Sequence, residues 1–441
     1  MKSFASMRGA ALGLPGIALA LSLTACGGGG SSTSLIGGTV SGLASGQQLT
    51  LLNNGASPLT LQANGRFAFP ARLSVGQAYA VAVGTQPAGQ WCGVSKGSGS
   101  TPVGNVTSIA VSCTAHFAYL TNTNVATVSQ LAIAPGGMLM AMNQAPVASG
   151  AGPIGMAVDP TGRYAYVANV FDDTVSQYSI GARGVLTALS PATVAAGSLP
   201  GLVAIDSAGP YVYVVNAGSD TISQYTIDST GALQPMAQPT VATGKQPSAI
   251  AVDAQGGYVY VANESDNTVS QYAVGAGGAL TPLGSPTVAT GQLPAGIAVD
   301  PSGTYAYVTN ADDSTISEYS IGSDGTLTPL STPTIATGPD PAGLAVDPSG
   351  RFVYALDYTA GTISEYSIGA GGALTPLPQP TIATGSKPQD LAFAQSGPYL
   401  YVANYDSDDI SEYLMGADGQ LSALATLPLS TGANPAVVVA Q

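Results

Sequence analysis

Apolar residues along this chain fall in short runs in which β-branched and aromatic side chains alternate with small or polar ones. PSAIAVD (247–253), YVYVAN (258–263), TVSQYAV (268–274) and GALTPL (278–283) are four successive examples. That alternation is the period of a strand, and no window carries the spacing and length of a good helix. Turn clusters separate the runs, as in DPSGT (300–304), NADDST (310–315) and GSDGT (322–326). The pattern predicts units of four short strands joined by tight turns.

The units recur at a fixed spacing. The first aromatic of the second run is Phe117, Tyr164, Tyr211, Tyr258, Tyr305, Phe352 and Tyr399, each 47 residues after the last. In-register copies at such a period are the signature of a repeat architecture. One four-stranded meander alone leaves apolar faces and two edges open. Seven arranged radially bury those faces between neighbours and keep each edge short. A linear solenoid would need atypical caps, whereas the ends of this array look like two parts of one blade. Pro153, Pro200, Pro247, Pro294, Pro341 and Pro388 each open a first strand; the next step is Pro435, in PAVVVAQ (435–441). FAYLTN (117–122), in turn, starts a unit at its second strand. The expected fold is all-β: a seven-bladed β-propeller over 114–441, with 435–440 closing the blade begun at 117. Residues 107–112, within the run that continues as IAVSCTAHF (109–117), compete for the same slot, but Cys113 ties them to a different domain.

The repeated columns have structural jobs. Asp159, Asp206, Asp253, Asp300 and Asp347 end the first strand and are expected to cap the following turn. Asn122, Asn169, Asn216, Asn263, Asn310 and Asn404 end the second strand, with Asp357 as the exception, and read as Asx-type turns. Gly137, Gly184, Gly231, Gly278, Gly325, Gly372 and Gly419 are expected to supply a turn conformation that other residues resist. Tyr178, Tyr225, Tyr272, Tyr319, Tyr366 and Tyr413 share one offset, where the first unit has Leu131, and are expected to pack between blades.

The start of the chain is different. Lys2 and Arg8 precede an apolar stretch, so residues 1–25 read as an export leader. Leu23-Thr24-Ala25-Cys26 resembles a bacterial lipobox, which implies lipid, including palmitate, on Cys26 and anchoring to a membrane. Residues 26–36 then form a flexible Gly/Ser tether. Gly27 follows the cysteine; in the Gram-negative lipoproteins this resembles, that implies the outer membrane of the cell envelope. Segment 37–113 lacks the repeat and reads as strands and turns: GTVSGL (38–43), LTLLNNG (49–55), GRFAFP (65–70) and AYAVAVGTQPAGQWC (78–92). It resembles small Ig-like or prealbumin-like β-sandwich modules, a size at which a covalent staple helps. Cys92 and Cys113, an even pair in an exported chain, are expected to form it.

Composition narrows the partners. Only 8% of residues are charged and the formal net charge is −14. Nucleic acid is excluded as a partner, because phosphate binding needs clustered Lys and Arg. Beyond the leader no apolar run is long enough to predict a membrane helix.

YVYVAN, YAYVTN and the recurring Pro-x-x-Ile-Ala-Val-Asp-Pro-x-Gly pattern resemble the YVTN family of propeller repeats over residues 117–441. The same blade grammar is similar to that of lactonase-type seven-bladed propellers such as 6-phosphogluconolactonase. That resemblance implies lactone chemistry at a cluster of Arg, His and Glu around the central opening. This chain has little such material. Its one His is His116, at the domain junction, and the propeller's arginines, Arg163, Arg183 and Arg351, fall in turns. Lys245 and Lys387, just before first-strand prolines, and Asp390, in PQDLAF, are the candidate ligand contacts at the channel mouth. The acidic loops ESDN (264–267), ADDS (311–314) and YDSDD (405–409) offer Asp266, Asp312, Asp313, Asp406 and Asp408 as oxygen ligands for a structural Ca²⁺, against a competing reading as solvated turns. No other cofactor is implied. A catalytic site needs different residues in different blades, and the first strands are nearly uniform in Ala and Gly. The leading expectation is a lipid-anchored, non-catalytic binding or scaffold module for a protein or glycan. A lactonase-like hydrolase and a structural or adhesive surface protein are the alternatives.

Overall fold

The computed structural model describes residues 33–441 apart from 45, 88–89, 115, 135, 143, 396, 425–427 and 432–433. The expected leader and Cys26 lie outside the described residues. Among the described residues the regular structure is β throughout, save one 3-10 turn at Thr123–Val125.

The first domain is a sandwich of two four-stranded sheets. One runs Gly65–Ser74, Thr33–Ser41, Val106–Thr114, Trp91–Ser95; the other runs Ala56–Leu61, Leu49–Asn53, Ala78–Thr85, Ser98–Ser100. Alternation puts Ile36, Val40, Leu49, Leu51, Phe67, Phe69, Ile109 and Val111 into one core. Cys92 and Cys113 face each other on neighbouring strands and are disulfide-bonded. One expectation changes here and another holds. The first strand begins at Thr33, inside the segment read as tether, because Leu35 pairs with Arg72 and Ile36 is fully buried. The 107–112 segment is committed to this sheet, parallel to Thr33–Ser41, and is not available to the propeller.

The remaining sheets are seven blades. The fourth shows the pattern: Pro247–Val252, Tyr258–Asn263, Thr268–Val274 and Leu280–Ala289, all antiparallel. Its outer strand is longer than the sequence pattern implied, running from the LTPL of GALTPL through the VA of the next VATG. Pro282 and Pro286 sit within it. An edge strand tolerates proline, since one side needs no N–H donor, and the same prolines deter pairing with another chain. The first blade consists of Phe117–Asn122, Thr127–Ile133 and the short outer strands Leu139–Ala141 and Val147–Ala148. Pro435–Ala440 completes it on the inner side, with Val438 opposite Leu120 and Val439 opposite Tyr119.

The repeated residues stitch blade to blade. Tyr166 donates its hydroxyl to the Gly231 carbonyl of the next blade at 2.7 Å. The same bond recurs around the ring, and Tyr401 to Gly137, also 2.7 Å, joins the last blade to the first. Gly231 has φ +89°, and a Cβ there would lie 2.1 Å from the Tyr164 ring. Its column therefore serves both the turn and the close approach of the neighbouring aromatic. Tyr178 reaches the other way, donating to the Ala148 carbonyl of the preceding blade at 2.7 Å. Asp300 caps its turn by accepting the Thr304 and Tyr305 N–H groups, both at 2.7 Å. Asn169 donates to Thr174 and Ser176 and accepts the Gly150 N–H, tying three segments together. Where Asp357 replaces the Asn, the hydroxyls of Thr362 and Ser364 donate to it instead.

A further column lies buried between blades. Gln130, Gln177, Gln224 and Gln271 each accept a leucine N–H from the next blade. Each also donates to a carbonyl of its own outer segment. Glu318, Glu365 and Glu412 occupy the same offset in the last three blades. Burial raises the pKa of all three, that of Glu365 to about 7, with Asp418 adding a smaller push. A protonated Glu can donate as Gln does, whereas an ionised one cannot. The folded chain therefore holds more protons than the unfolded chain between the ordinary Glu value and about 7. The stability these groups contribute is complete below that window and is lost as pH rises through it. The triple exchange Glu318→Gln, Glu365→Gln, Glu412→Gln is expected to change Tm little near pH ~4 and to raise it by roughly 5 °C above pH ~7.5. Thermal scans by circular dichroism across pH check this; equal gains at both pH values would contradict it.

Candidate functional site

The seven first strands surround a central cavity of about 630 Å³. The residue after each first-strand proline lines it: Ile154, Gly201, Ser248, Ala295, Ala342, Gln389 and Ala436. Val170, Leu199, Ala217 and Glu264 form part of its rim. Small residues here leave room, and the larger aliphatic neighbours make the wall largely hydrocarbon.

Asp390 breaks the uniformity. It stands on Pro388–Phe393 and is the one charged residue that the first strands contribute to the described lining. Its Oδ2 accepts the Val438 N–H at 3.0 Å, from the strand that closes the ring. Burial pushes its pKa up to about 7, against the opposing pull of the Val438 and Leu391 N–H groups. A carboxyl group tuned there can accept and return a proton near neutral pH. Gln389 brings an amide to the same wall. Ser248 brings a hydroxyl, but it donates to the Pro294 carbonyl at 2.7 Å, so it lacks the adjacent base that activates a serine nucleophile.

The two lysines do not join Asp390. Lys387 binds Asp406 at 2.7 Å with both side chains substantially exposed, and it lies 5.9 Å from the Tyr358 ring centroid. That hydrogen bond and the Asp406 charge raise its pKa and keep it an ammonium. Lys245 offers its backbone N–H to Asp266 at 2.8 Å, and neither lysine is among the residues lining the cavity. The expected group of Lys245, Lys387 and Asp390 is thus reduced to Asp390.

The remaining candidates have other partners. Arg163 and Arg351 lie in turns at the opposite ends of the first strands, stacked on Tyr164 and Phe352. His116 bridges the domain junction, with Thr114 at 3.0 Å and the Gln441 carbonyl at 3.1 Å. Among the acidic loops, Asp266, Asp313 and Asp408 accept backbone N–H groups from the neighbouring loop, Asp406 pairs with Lys387, and Asp312 is exposed. Among the described residues no three acidic, His or Cys side chains converge as metal ligands. Ser248, Gln389 and Glu264 join the lining although the repeat pattern did not single them out. Reading the column after each proline, where small or aliphatic residues dominate, would have exposed the first two.

A family model described as lactonase, 7-bladed beta-propeller, matches residues 93–354 and 323–437. The chain belongs to this lactonase propeller family. Solved structures with the same fold include a Bacteroides fragilis NCTC 9343 protein provisionally assigned as a 6-phosphogluconolactonase, 18% identical, with TM-score 0.64 over 74% of this chain and 98% of that one. A Lactobacillus plantarum protein gives 21% identity and TM-score 0.64 over 74% and 99%. The Pseudomonas aeruginosa periplasmic gluconolactonase gives 17% identity and TM-score 0.62 over 74% and 99%. No curated protein sequence matches the chain. Within the lactonase propeller family, this member's described cavity lining holds two carboxylates, Asp390 and Glu264, and no Arg, Lys or His.

Proposed function

We propose that this lactonase-family propeller hydrolyses a small ring ester in its central cavity, with Asp390 as general base. The observation that carries the reading is Asp390 itself, a cavity-lining carboxylate held by the Val438 N–H and poised near neutral pH. The ionised Asp390 takes a proton from a water molecule as the water oxygen bonds to the ring carbonyl carbon. Gln389 offers an amide N–H to the oxyanion that forms. Collapse breaks the ring C–O bond, and the leaving oxygen takes its proton from Asp390. One water is consumed, one hydroxy acid is released, and Asp390 returns to its ionised form. Where the wall is apolar, it strengthens these polar contacts.

The proposal includes export and anchoring at the cell envelope through lipid on Cys26, supported by the leader and its lipobox-like end. A second reading keeps the propeller as a non-catalytic binding module for a protein or glycan. It is favoured by the lack of Lys, Arg and His in the described lining and by the committed Ser248 hydroxyl.

Kinetics separate the two readings. Lactone hydrolysis is expected to rise with pH to a plateau above about 7, and Asp390→Asn is expected to lower kcat by ~100-fold or more with the fold intact. No hydrolysis of any lactone in a broad panel, or an Asn variant as active as the parent, would leave the binding module standing. Cys26→Ser is expected to move the protein from the membrane fraction to the soluble one; unchanged fractionation would remove the lipid anchor.

A further inference from the structure

The cavity carries a second message, in its charge and its hydrocarbon. Asp390 on the wall and Glu264 at the rim are both acids, and no cationic side chain lines the described cavity. Of the two lysines that precede first-strand prolines, Lys387 is paired with Asp406, and neither Lys387 nor Lys245 is in the lining. A phosphate or carboxylate entering this space would lose water without gaining a counter-ion, beside groups of its own sign. The wall offers Ile154, Leu202, Ile250, Ile297, Leu344 and Val437 instead. The apolar surface continues onto the rim through Val170 and Leu199, the latter 43% exposed, and on to Phe171, 72% exposed beside Val170. At the offset of Val170 other blades place Ala217, Glu264, Ala311, Tyr358 and Tyr405, and at the offset of Leu199 only Leu293 is also aliphatic. Burying a hydrocarbon body here is favourable in proportion to its apolar area.

We infer that the cavity selects uncharged ring esters with a hydrocarbon body and rejects anionic lactones such as sugar phosphates. This deepens the hydrolase reading, but its test is separable because it reads binding. Titration calorimetry on Asp390→Asn full-length protein, which is expected to bind without turnover and keeps Glu264 and a lining without cations, would compare δ-decalactone, glucono-δ-lactone and 6-phosphoglucono-δ-lactone. The expected result is a Kd for δ-decalactone at least about tenfold below that of either sugar lactone, with the phosphorylated one weakest. Equal or tighter binding of the phosphorylated lactone, or no binding of δ-decalactone, would overturn the inference. Tighter binding of glucono-δ-lactone would overturn the hydrocarbon half of it. A second variant, Ala342→Arg, places a cation on the wall and is expected to strengthen binding of the phosphorylated lactone by about tenfold. No gain in a variant with native circular dichroism would contradict the charge argument. Binding of δ-decalactone by the Asn variant with no hydrolysis by the parent would sustain this inference and defeat the hydrolase reading.

Discussion

The pairing of Pro435–Ala440 with Phe117–Asn122 is the constraint on which the propeller and its candidate site both depend. It brings together segments at opposite ends of the repeat array and so pays a loop-closure cost that local contacts do not. In return the first blade gains its inner strand and the ring gains a backbone ladder at its seam. Val438 takes part twice. Its residue pairs with Leu120, and its N–H holds the Asp390 carboxylate. Closing the ring and fixing the proposed base are therefore one structural event, seated where the last blade meets the first.

Elsewhere the ring is held by repetition. Each blade sends a tyrosine hydroxyl forward to a glycine carbonyl, and most send another tyrosine back to the preceding blade. A single such bond contributes about 1 kcal/mol net, but around a ring each supports the next. The proposed function rests on departures from the repeat: Asp390, Gln389, Ser248 and Glu264 at the cavity, and the apolar rim of Val170, Leu199 and Phe171. The change from Gln to Glu in the last three blades is another departure, and it puts carboxyl groups whose pKa burial raises where the first four blades have amides.

Much of the fold was legible in the sequence because each repeated residue answers a local need. Asp300 caps a turn four and five residues on, and Gly231 supplies a positive φ in its own hairpin. The site was less legible because its partners are distant. Asp390 draws its character from Val438, 48 residues later, and from burial that only the closed ring creates. Lys387 sits close to Asp390 along the chain, yet Asp406 claims it. At the other end, glycines and serines read as tether hid Leu35 and Ile36, whose value emerges only when Gly65–Ser74 and Val106–Thr114 lie on either side. The Gln and Glu column sits inside otherwise polar-looking strand text, and its role depends on a leucine N–H from the next blade.

The most direct measurement is a carbon NMR titration of the full chain with aspartate carboxyl carbons labelled. One resonance is expected to have a midpoint near 7, to be lost in Asp390→Asn and to shift when δ-decalactone is added. An Asp390 resonance that titrates in the ordinary carboxylate range and ignores the lactone would contradict the assignment of this cavity as the site.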